Sequence, residues 1–529
     1  MQIVLTTLNA KFCHSSLALH SLKQFCLGKT KSPIEIVEFT VNQPEKLILS
    51  QLYSLKPDIL GVSCYIWNIE ITRRILSSLK KILPSLIIIA GGPEPCGEPA
   101  DHIIEGEGEA AFLALLNGEP APCIIPSLDE IPFAYQSGLN GLENKILYYE
   151  TSRGCPFGCK YCLSAADKSV RFLSWERCKS DLSFFLAEKV PQVKLIDRTF
   201  NVNKKHCMTI WQFLIENDNG ITNFHFEIAA DLLDDDMLNI LAKTRPGQFQ
   251  FEIGVQSTHL PTLASVGRNS DLKRLFENVR RLKIPNNIHL HLDLIAGLPK
   301  ESYQRFAKSF EDVYLLKPDH LQLGFLKLLK NSPIRGEFAQ TDIIYEEQPP
   351  YEVLRTAWMS YDEISRLKGI TQMVELFYNS GRFGSIITFM SASYPSNFEM
   401  YEALACFWAA KKNTGLSLSL MALFGFLYDF CVAQNIAKPP LKDLIKFDIL
   451  RCDNIHNLPP WLCQGDAQKI KQYKNKAISE GDGLTTRNVQ VEVFNYNVTS
   501  STLPLWETWV LFDYSRGKGR DGLYPIKIL

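Results

Sequence analysis

The sequence lacks an excess of charge of either sign. Its 56 Lys and Arg stand against 57 Asp and Glu, a formal net charge of −1. It therefore has no electrostatic footprint for bulk nucleic acid or an acidic membrane surface, although a local basic groove stays open. It also lacks internal repeats, low-complexity tracts and the polar bias of disordered chains, since 46 % of its residues are hydrophobic. Met1–Phe12 lacks the basic segment, apolar run and cleavage site of a secretory leader. A cytoplasmic chain is expected, and such a chain is not built on disulfides. Long apolar runs are scarce as well. One run approaches the length of a membrane span, Leu416–Ala433, but Asp429 interrupts it and no Lys/Arg cluster or aromatic belt surrounds it. It is expected to be a buried helix, with no membrane span. At 529 residues, about three domains are expected.

Cysteine is plentiful, with 14 residues. Eleven are scattered and are expected to pack as small hydrophobes. Three sit together, Cys155, Cys159 and Cys162, so their chemistry depends on what surrounds them in the chain.

Residues 1–130 alternate apolar strands with helical stretches: Met1–Leu8, Ile34–Val41, Asp58–Cys64 and Leu86–Ala90 as strands, Ser15–Leu27 and Ile69–Leu83 as helices. Strands that are apolar throughout indicate a parallel sheet covered on both faces, here a doubly wound α/β domain. Ligands of such sheets bind at the carboxyl ends of the strands near the switch point. The small residues there are Asn9, Ser63, Gly91 and Gly92. Residues 117–148, with Pro120, Pro122, Pro126 and Pro132, are expected to link domains.

A second βα series fills 131–330. Its strands lie near Ile146–Thr151, Val193–Asp197, Phe224–Ala229, Phe249–Val255, Ile288–Ile295 and His320–Leu326. Six such units suggest a full or partial parallel barrel, whose function lies at the carboxyl ends of its strands. From 331 to 529 the pattern becomes mixed and mostly helical. Helices are expected over Pro349–Leu367 and Phe398–Asn413, strands over Thr486–Val498 and Leu505–Tyr514, and a basic loop over Arg516–Arg520.

The chemistry-bearing segment is Arg153-Gly154-Cys155-Pro156-Phe157-Gly158-Cys159-Lys160-Tyr161-Cys162, after the first strand of the second series. Three thiolates spaced by four and three residues can wrap one face of a cubane iron–sulfur cluster. A [4Fe–4S] cluster ordinarily takes four Cys, so three leave one iron open. Gly154, Pro156 and Gly158 suit a loop bent around a bulky group. Two alternatives remain: three buried cysteines in a loop, or a zinc site. Zinc sites ordinarily add a second Cys/His knuckle, and Cys178, His206 and Cys207 form none.

The C-x₃-C-x₂-C loop, with Tyr161 before its third Cys, resembles the signature of the radical S-adenosylmethionine superfamily. The resemblance implies a partial (β/α)₆ barrel and an open iron chelated by the amino and carboxylate groups of S-adenosylmethionine. It implies reductive cleavage to a 5′-deoxyadenosyl radical, with the aromatic residue near the adenine. Ile253-Gly254-Val255-Gln256-Ser257, then Arg268, then Leu292-Asp293-Leu294-Ile295-Ala296-Gly297-Leu298-Pro299, resembles the subgroup containing oxygen-independent coproporphyrinogen oxidase. By that resemblance Gln256 and Arg268 contact the methionyl part of the cofactor and Asp293 its ribose. Glu227 matches a carboxylate at a strand end. Asp197 ends the second barrel strand and is expected at the same mouth.

The N-terminal domain resembles the cobalamin-binding module of many radical enzymes. The resemblance is carried by Leu8-Asn9-Ala10-Lys11 with His14-Ser15-Ser16-Leu17, Gly61-Val62-Ser63, Gly91-Gly92-Pro93-Glu94 and Gly106-Glu107-Gly108-Glu109. The Asp-x-His-x-x-Gly of methionine-synthase-type modules is missing, so the lower face of cobalt would be empty, solvated or met by another residue, His14 being one candidate. A nucleotide-binding Rossmann-like domain, or one with no ligand, is the competing reading. The residues after 331 resemble the domain of an uncharacterised branch of these proteins. Together the resemblances imply an enzyme with a [4Fe–4S] cluster, S-adenosylmethionine and cobalamin. It would methylate an unactivated carbon of an unknown, small-molecule or other, substrate, using an electron donor such as flavodoxin or ferredoxin. A radical oxidase or cyclase without methyl transfer, and a non-catalytic corrinoid sensor or carrier, are the alternatives.

Overall fold

A computed structural model describes residues 1–529 except 120–124, 167, 339–341, 414, 456–457, 460, 463–464, 481–483, 501 and 520. Pro120 and Pro122 of the expected linker, Cys123, Cys463 and Arg520 of the basic loop lie outside the described residues. The chain divides into two compact units. The first comprises 1–290, 297–301 and 325–358, and the second comprises 291–296, 302–324 and 359–529.

The first unit opens with strands β1 (Ile3–Asn9), β2 (Ile34–Thr40), β3 (Ile59–Ser63), β4 (Ile87–Gly91) and β5 (His102–Ile103). They form one sheet in the order β2-β1-β3-β4-β5, parallel throughout. Every residue of β1 and β3 is buried, as a strand covered on both faces must be. The period-2 alternation sorts their side chains between two cores. Val4, Leu8, Leu60 and Val62 meet Ile75, Leu76 and Leu79 on one face. Ile3, Leu5 and Ile59 meet Leu19 and Phe112 on the other. The order reverses between β1 and β3, so their carboxyl ends diverge and leave a crevice.

The second series begins with β6 (Leu147–Tyr149). A short antiparallel pair follows, β7 (Ser152–Arg153) with β8 (Arg171–Phe172), and then β9 (Gln192–Leu195), β10 (Asn223–Ile228) and β11 (Phe249–Gln256). Strands β6, β9, β10 and β11 pair in parallel in that order. Helices Trp175–Ala187, Lys204–Glu216 and Asp235–Leu241 separate them. In β11 the alternation is strict: Phe249, Phe251, Ile253 and Val255 are buried, and the intervening Gln250, Glu252, Gly254 and Gln256 are not. Phe226, Phe249, Phe251 and Trp211 pack ring against ring between sheet and helices. The opposite face carries the polar set. The fifth and sixth strands of the series are β12 (His289–Ala296) and β13 (His320–Phe325).

The expected linker is packed rather than free. Tyr135 is buried and donates to the Tyr148 carbonyl at 2.9 Å, and Arg177 holds the Ile131 carbonyl at 2.8 Å. Aromatic residues at 133 and 135 give it a face to bury among Phe184 and Phe185. The helix expected over Pro349–Leu367 is also corrected. Val353–Arg355 is a strand, and the helix runs Tyr361–Met373. The Ser360–Glu363 capping box fixes that start.

In the second unit, helices Asn397–Ala410 and Leu420–Ala433 match the expected helical runs, and among the described residues no helix is long and apolar enough to cross a membrane. A three-stranded antiparallel sheet closes the chain: Val489–Tyr496, Leu505–Asp513 and Ile526–Ile528. Helix Pro440–Cys452 covers one face and helix Ala467–Glu480 the other. Arg516, of the expected basic loop, pairs with Asp513 at 3.2 Å. Every described cysteine is a free thiol, and Cys26, Cys64, Cys96, Cys178, Cys207, Cys431 and Cys452 are buried.

Candidate functional site

The carboxyl ends of β1, β3 and β4 open on a cavity of about 740 Å³ within the first unit. Asn9, Ser63, Gly91 and Gly92 all line it. Gly92 cannot be another residue: its φ is +104°, and a Cβ there would lie 2.5 Å from the Cys64 carbonyl oxygen. Asn9 donates to Glu38 at 2.5 Å. Burial opposes the Glu38 charge, but hydrogen bonds from His20 and Asn9 hold its pKa below the ordinary value. His14 also lines the cavity, with Nδ1 2.5 Å from the Tyr148 hydroxyl. Burial, then Lys11, lowers its pKa. The stacked pair Tyr65 and Trp67, with ring centroids 4.3 Å apart, forms another part of the wall.

Barrel residues complete the wall: Tyr148, Glu150, Arg153, Ile196 and Arg198. The sequence alone gives no sign of their part in it. Arg153 is the focus. It reaches Glu109 at 2.6 Å, Glu150 at 2.5 Å and Glu107 at 3.6 Å. Its ladder partner Arg171 also pairs with Glu107. The Gly106-Glu107-Gly108-Glu109 motif of the N-terminal sheet therefore grips both strands at the base of the cysteine loop. Burial opposes the Glu109 charge, but Arg153 overcomes it and holds the carboxyl below the usual range.

Between β7 and β8 the chain makes the loop that carries the three cysteines. Gly154 has φ +98°, and a Cβ on it would lie 1.7 Å from the Ser169 carbonyl oxygen. Lys160 ties the loop on two sides: its N–H donates to Val266 and its carbonyl accepts from Ile334, both at 2.9 Å. Cys155 and Cys159 are buried and Cys162 is partly exposed. The Thr199 hydroxyl lies 3.8 Å from Cys155 Sγ.

Arg268 comes to this loop. Its guanidinium lies 3.8 Å from Cys159 Sγ and 3.5 Å from the Tyr161 hydroxyl and donates to the Gly254 carbonyl. Burial raises the pKa of the Tyr161 phenol. Gln256, at φ +70°, folds its amide over Gly254, where a Cβ would meet Nε2 at 2.2 Å. Cys155, Cys159, Cys162, Tyr161, Gln256 and Arg268 thus form one group. The remaining expected residues have contacts of their own. Asp197 is 1 % exposed and accepts from Thr151 Oγ1 at 2.7 Å and Ser152 Oγ at 2.6 Å, under the start of the loop. Glu227 lies 3.8 Å from Lys194, which also pairs with Glu252 at 3.0 Å, on the polar face of the strands. Asp293 belongs to the second unit, where it meets His291 at 2.9 Å.

Asp197 gives a pH prediction. Burial outweighs its hydrogen bonds and raises its pKa to about 6, above the ordinary value of about 3.9. Between those values the folded chain holds more protons than the unfolded one, so this group's contribution to stability falls as pH rises. Asp197→Asn should flatten that part of the slope of unfolding free energy against pH. An unchanged slope would refute the assignment.

The group fits a bound cluster and a polar ligand by its chemistry. Gln256 Oε1 and Arg268 Nε are buried without hydrogen-bond partners, and buried polar atoms are ordinarily satisfied. Among the described residues no three His, Cys, Asp or Glu side chains converge on one ion-sized point.

Three family models match the chain: a B12 binding domain over residues 3–116, the Radical SAM superfamily over 149–313, and a protein of unknown function (DUF4080) over 339–512. Among curated proteins, the 2-(S-pantetheinyl)-carbapenam-3-carboxylate methyltransferase of Streptantibioticus cattleyicolor is 24 % identical over 470 residues. That match covers 74 % of this chain and 66 % of the relative. The cobalamin-dependent radical SAM methyltransferase TokK of Streptomyces tokunonensis is 23 % identical over 472 residues, covering 74 % and 67 %. The chain thus spans about two thirds of the length of these relatives. Among solved structures, the cobalamin-dependent S-adenosylmethionine radical enzyme OxsB with aqua-cobalamin and S-adenosylmethionine bound superposes with a TM-score of 0.53 at 15 % identity. It covers 92 % of this chain and 82 % of that one. TsrM from Kitasatospora setae, with cobalamin and a [4Fe-4S] cluster bound, gives 0.53 at 13 % identity over 67 % and 82 %. These likenesses establish the fold. The chain joins a B12-binding domain to a radical SAM domain, followed by a region of the DUF4080 type.

Proposed function

We propose that the protein is a cobalamin-dependent radical S-adenosylmethionine methyltransferase acting on a small molecule in the cytoplasm. The observation that carries this reading is the clamp of Glu107 and Glu109 on Arg153 and Arg171. It makes the cavity wall and the base of the cysteine loop one piece of structure, so two cofactors can face one substrate. Cys155, Cys159 and Cys162 would hold a [4Fe–4S] cluster, and the switch-point cavity would hold the corrinoid. When bound, the cluster supplies the electron that cleaves S-adenosylmethionine, and the corrinoid supplies the methyl group. The chain's residues bind and orient. Arg268 and Gln256 would take the charged methionyl end of S-adenosylmethionine, a guanidinium being suited to a carboxylate. Tyr161 would lie by the adenine, Asp293 would accept from the ribose, and Glu227 is the remaining candidate contact. Asp197 would act by holding Thr151 and Ser152 under the loop. A one-electron donor such as flavodoxin or ferredoxin is required.

Protein purified without oxygen should contain iron and sulfide in cluster stoichiometry and one cobalt per chain. Methyl-labelled S-adenosylmethionine should pass its label to the corrinoid. Absence of iron–sulfur absorbance, or intact cofactor cleavage in Cys155→Ala, would refute the reading. A second reading, radical ring formation or oxidation, is favoured by similarity to the anaerobic magnesium-protoporphyrin IX monomethyl ester cyclase of Rubrivivax gelatinosus, 22 % identical over 328 residues. Release of 5′-deoxyadenosine with no label on corrinoid or product would favour it. No cleavage at all would favour a carrier.

A further inference from the structure

The Gly91-Gly92-Pro93-Glu94 turn has a second attachment, to residues beyond those matching the B12-binding model. Glu94 is 2 % exposed, and a carboxylate so buried is stable only when paired and hydrogen-bonded. Both partners come from the last segment of the first unit. Tyr351 donates its hydroxyl to Glu94 Oε1 at 2.7 Å, and the Lys330 ammonium pairs with the same oxygen. Tyr351 is itself 1 % exposed, with φ at +58°. An aromatic residue holds that left-handed conformation only where its surroundings fix it. Here its carbonyl accepts from Leu328 and its N–H donates to Gln348, both at 2.9 Å. The Arg335 guanidinium covers its ring at 5.0 Å.

The same segment holds the cysteine loop. Ile334 N–H donates to the Lys160 carbonyl at 2.9 Å, and Glu337 pairs with Lys160 Nζ at 2.5 Å. On its other flank the glycine turn is pinned by Cys64, whose N–H donates to Gly91 at 2.8 Å and whose carbonyl accepts from Glu94 at 3.2 Å. Without Tyr351 and Lys330, the turn would be fixed from one side only.

We infer that Glu94, held by Tyr351 and Lys330, is a positioning residue for the corrinoid. Residues 326–337 and 342–353, the latter within the DUF4080-type region, act as straps that set the corrinoid turn relative to the cysteine loop. The inference rests on the reading that the cavity takes a corrinoid. That end of the DUF4080-type region then holds the ligand-binding turn of a domain more than 200 residues earlier in the chain, since Glu94 and Tyr351 are 257 residues apart.

The test is cobalamin binding by the full chain, followed by absorbance, beside iron content and melting temperature. Tyr351→Phe should weaken cobalamin binding by about tenfold or more, the size seen when a supporting partner of a ligand contact is removed. Lys330→Met, at a half-exposed side chain, should weaken it less and leave iron content unchanged. Adding Glu94→Gln to Lys330→Met keeps an acceptor for Tyr351 while removing the unpaired charge, and should recover affinity. If Tyr351→Phe fails to fold, the Lys330→Met pair of variants still decides. Wild-type affinity in folded Tyr351→Phe or in Lys330→Met, or no recovery in the double variant, would overturn the inference. If the unaltered chain binds no cobalamin, it is the corrinoid reading that fails.

Discussion

Gly154→Ala should yield a folded chain that cannot assemble an iron–sulfur cluster. The position allows no side chain on two counts. Its φ of +98° is disfavoured for any residue with a Cβ, and the Cβ would sit 1.7 Å from the Ser169 carbonyl oxygen. That oxygen is backbone and cannot swing aside. Either the Ser152–Arg153 and Arg171–Phe172 ladder opens or the loop shifts at its first cysteine. We expect a cost on the order of 3 kcal/mol, the size of a strongly strained backbone position. That is below the 5–15 kcal/mol, roughly, that holds a domain together. Iron and sulfide should be lost while the melting temperature falls only moderately. Gly158→Ala is the control. Its Cβ would find only the Lys168 side chain, at 3.7 Å, an ordinary contact, so cluster content should be unchanged. If Gly154→Ala binds iron like the unaltered chain, the loop is not positioned as described.

The contrast between those two glycines shows what the sequence could convey. Gly154, Pro156 and Gly158 all suited a bent loop, but only the fold shows that one of them is jammed against backbone. Strands of both βα series were legible because they are buried on one or both faces, and apolar periodicity reports burial. Helix Pro440–Cys452 was not. Its Asp443, Lys446 and Asp448 are all buried, so it has no polar face to set against an apolar one. Each charge is satisfied by a tertiary partner instead. Asp443 accepts from Asn495 at 2.7 Å, Lys446 donates to the Val493 carbonyl at 2.6 Å, and Asp448 accepts from Ile386 at 3.1 Å. In the candidate site, Arg268 and Gln256 were legible through the family resemblance of their motifs, and the fold places Arg268 beside the cysteine loop and Gln256 over Gly254. The clamp was illegible because it joins Glu107 and Glu109 to Arg153 and Arg171 across 44 residues or more. Nothing in a run of Gly-Glu-Gly-Glu says which cation it meets.

Arg153→Met should be the most damaging single change outside the cysteines, and its pH dependence should identify the cause. The Arg153 side chain is 18 % exposed and that of Glu109 is 6 % exposed. Removing one partner of a pair so buried leaves an uncompensated charge and costs about 3–5 kcal/mol. In the unaltered chain Arg153 holds the Glu109 carboxyl below its ordinary range. That contribution is present above the unfolded value of about 4.3 and is lost as pH falls through the lower folded value. Without Arg153, only the Ser21 hydroxyl, which donates to Glu109 at 2.8 Å, and a backbone N–H oppose burial, and the folded pKa of Glu109 should rise above the unfolded one. The sign then reverses: the variant should lose stability as pH rises from about 4 toward 7. Glu109→Gln in the Arg153→Met background should abolish that reversal and recover part of the loss, since the most deeply buried of the carboxylates that Arg153 held is then neutral. Arg153→Lys should fall between, keeping the charge without the fork that reaches several carboxylates. Because the clamp joins the cavity wall to the base of the cysteine loop, Arg153→Met should lower cobalt and iron content together, whereas Gly154→Ala lowers iron alone. Urea unfolding at several pH values and metal analysis of the same preparations measure both effects. An unreversed pH slope in Arg153→Met would show that Glu109 does not depend on it.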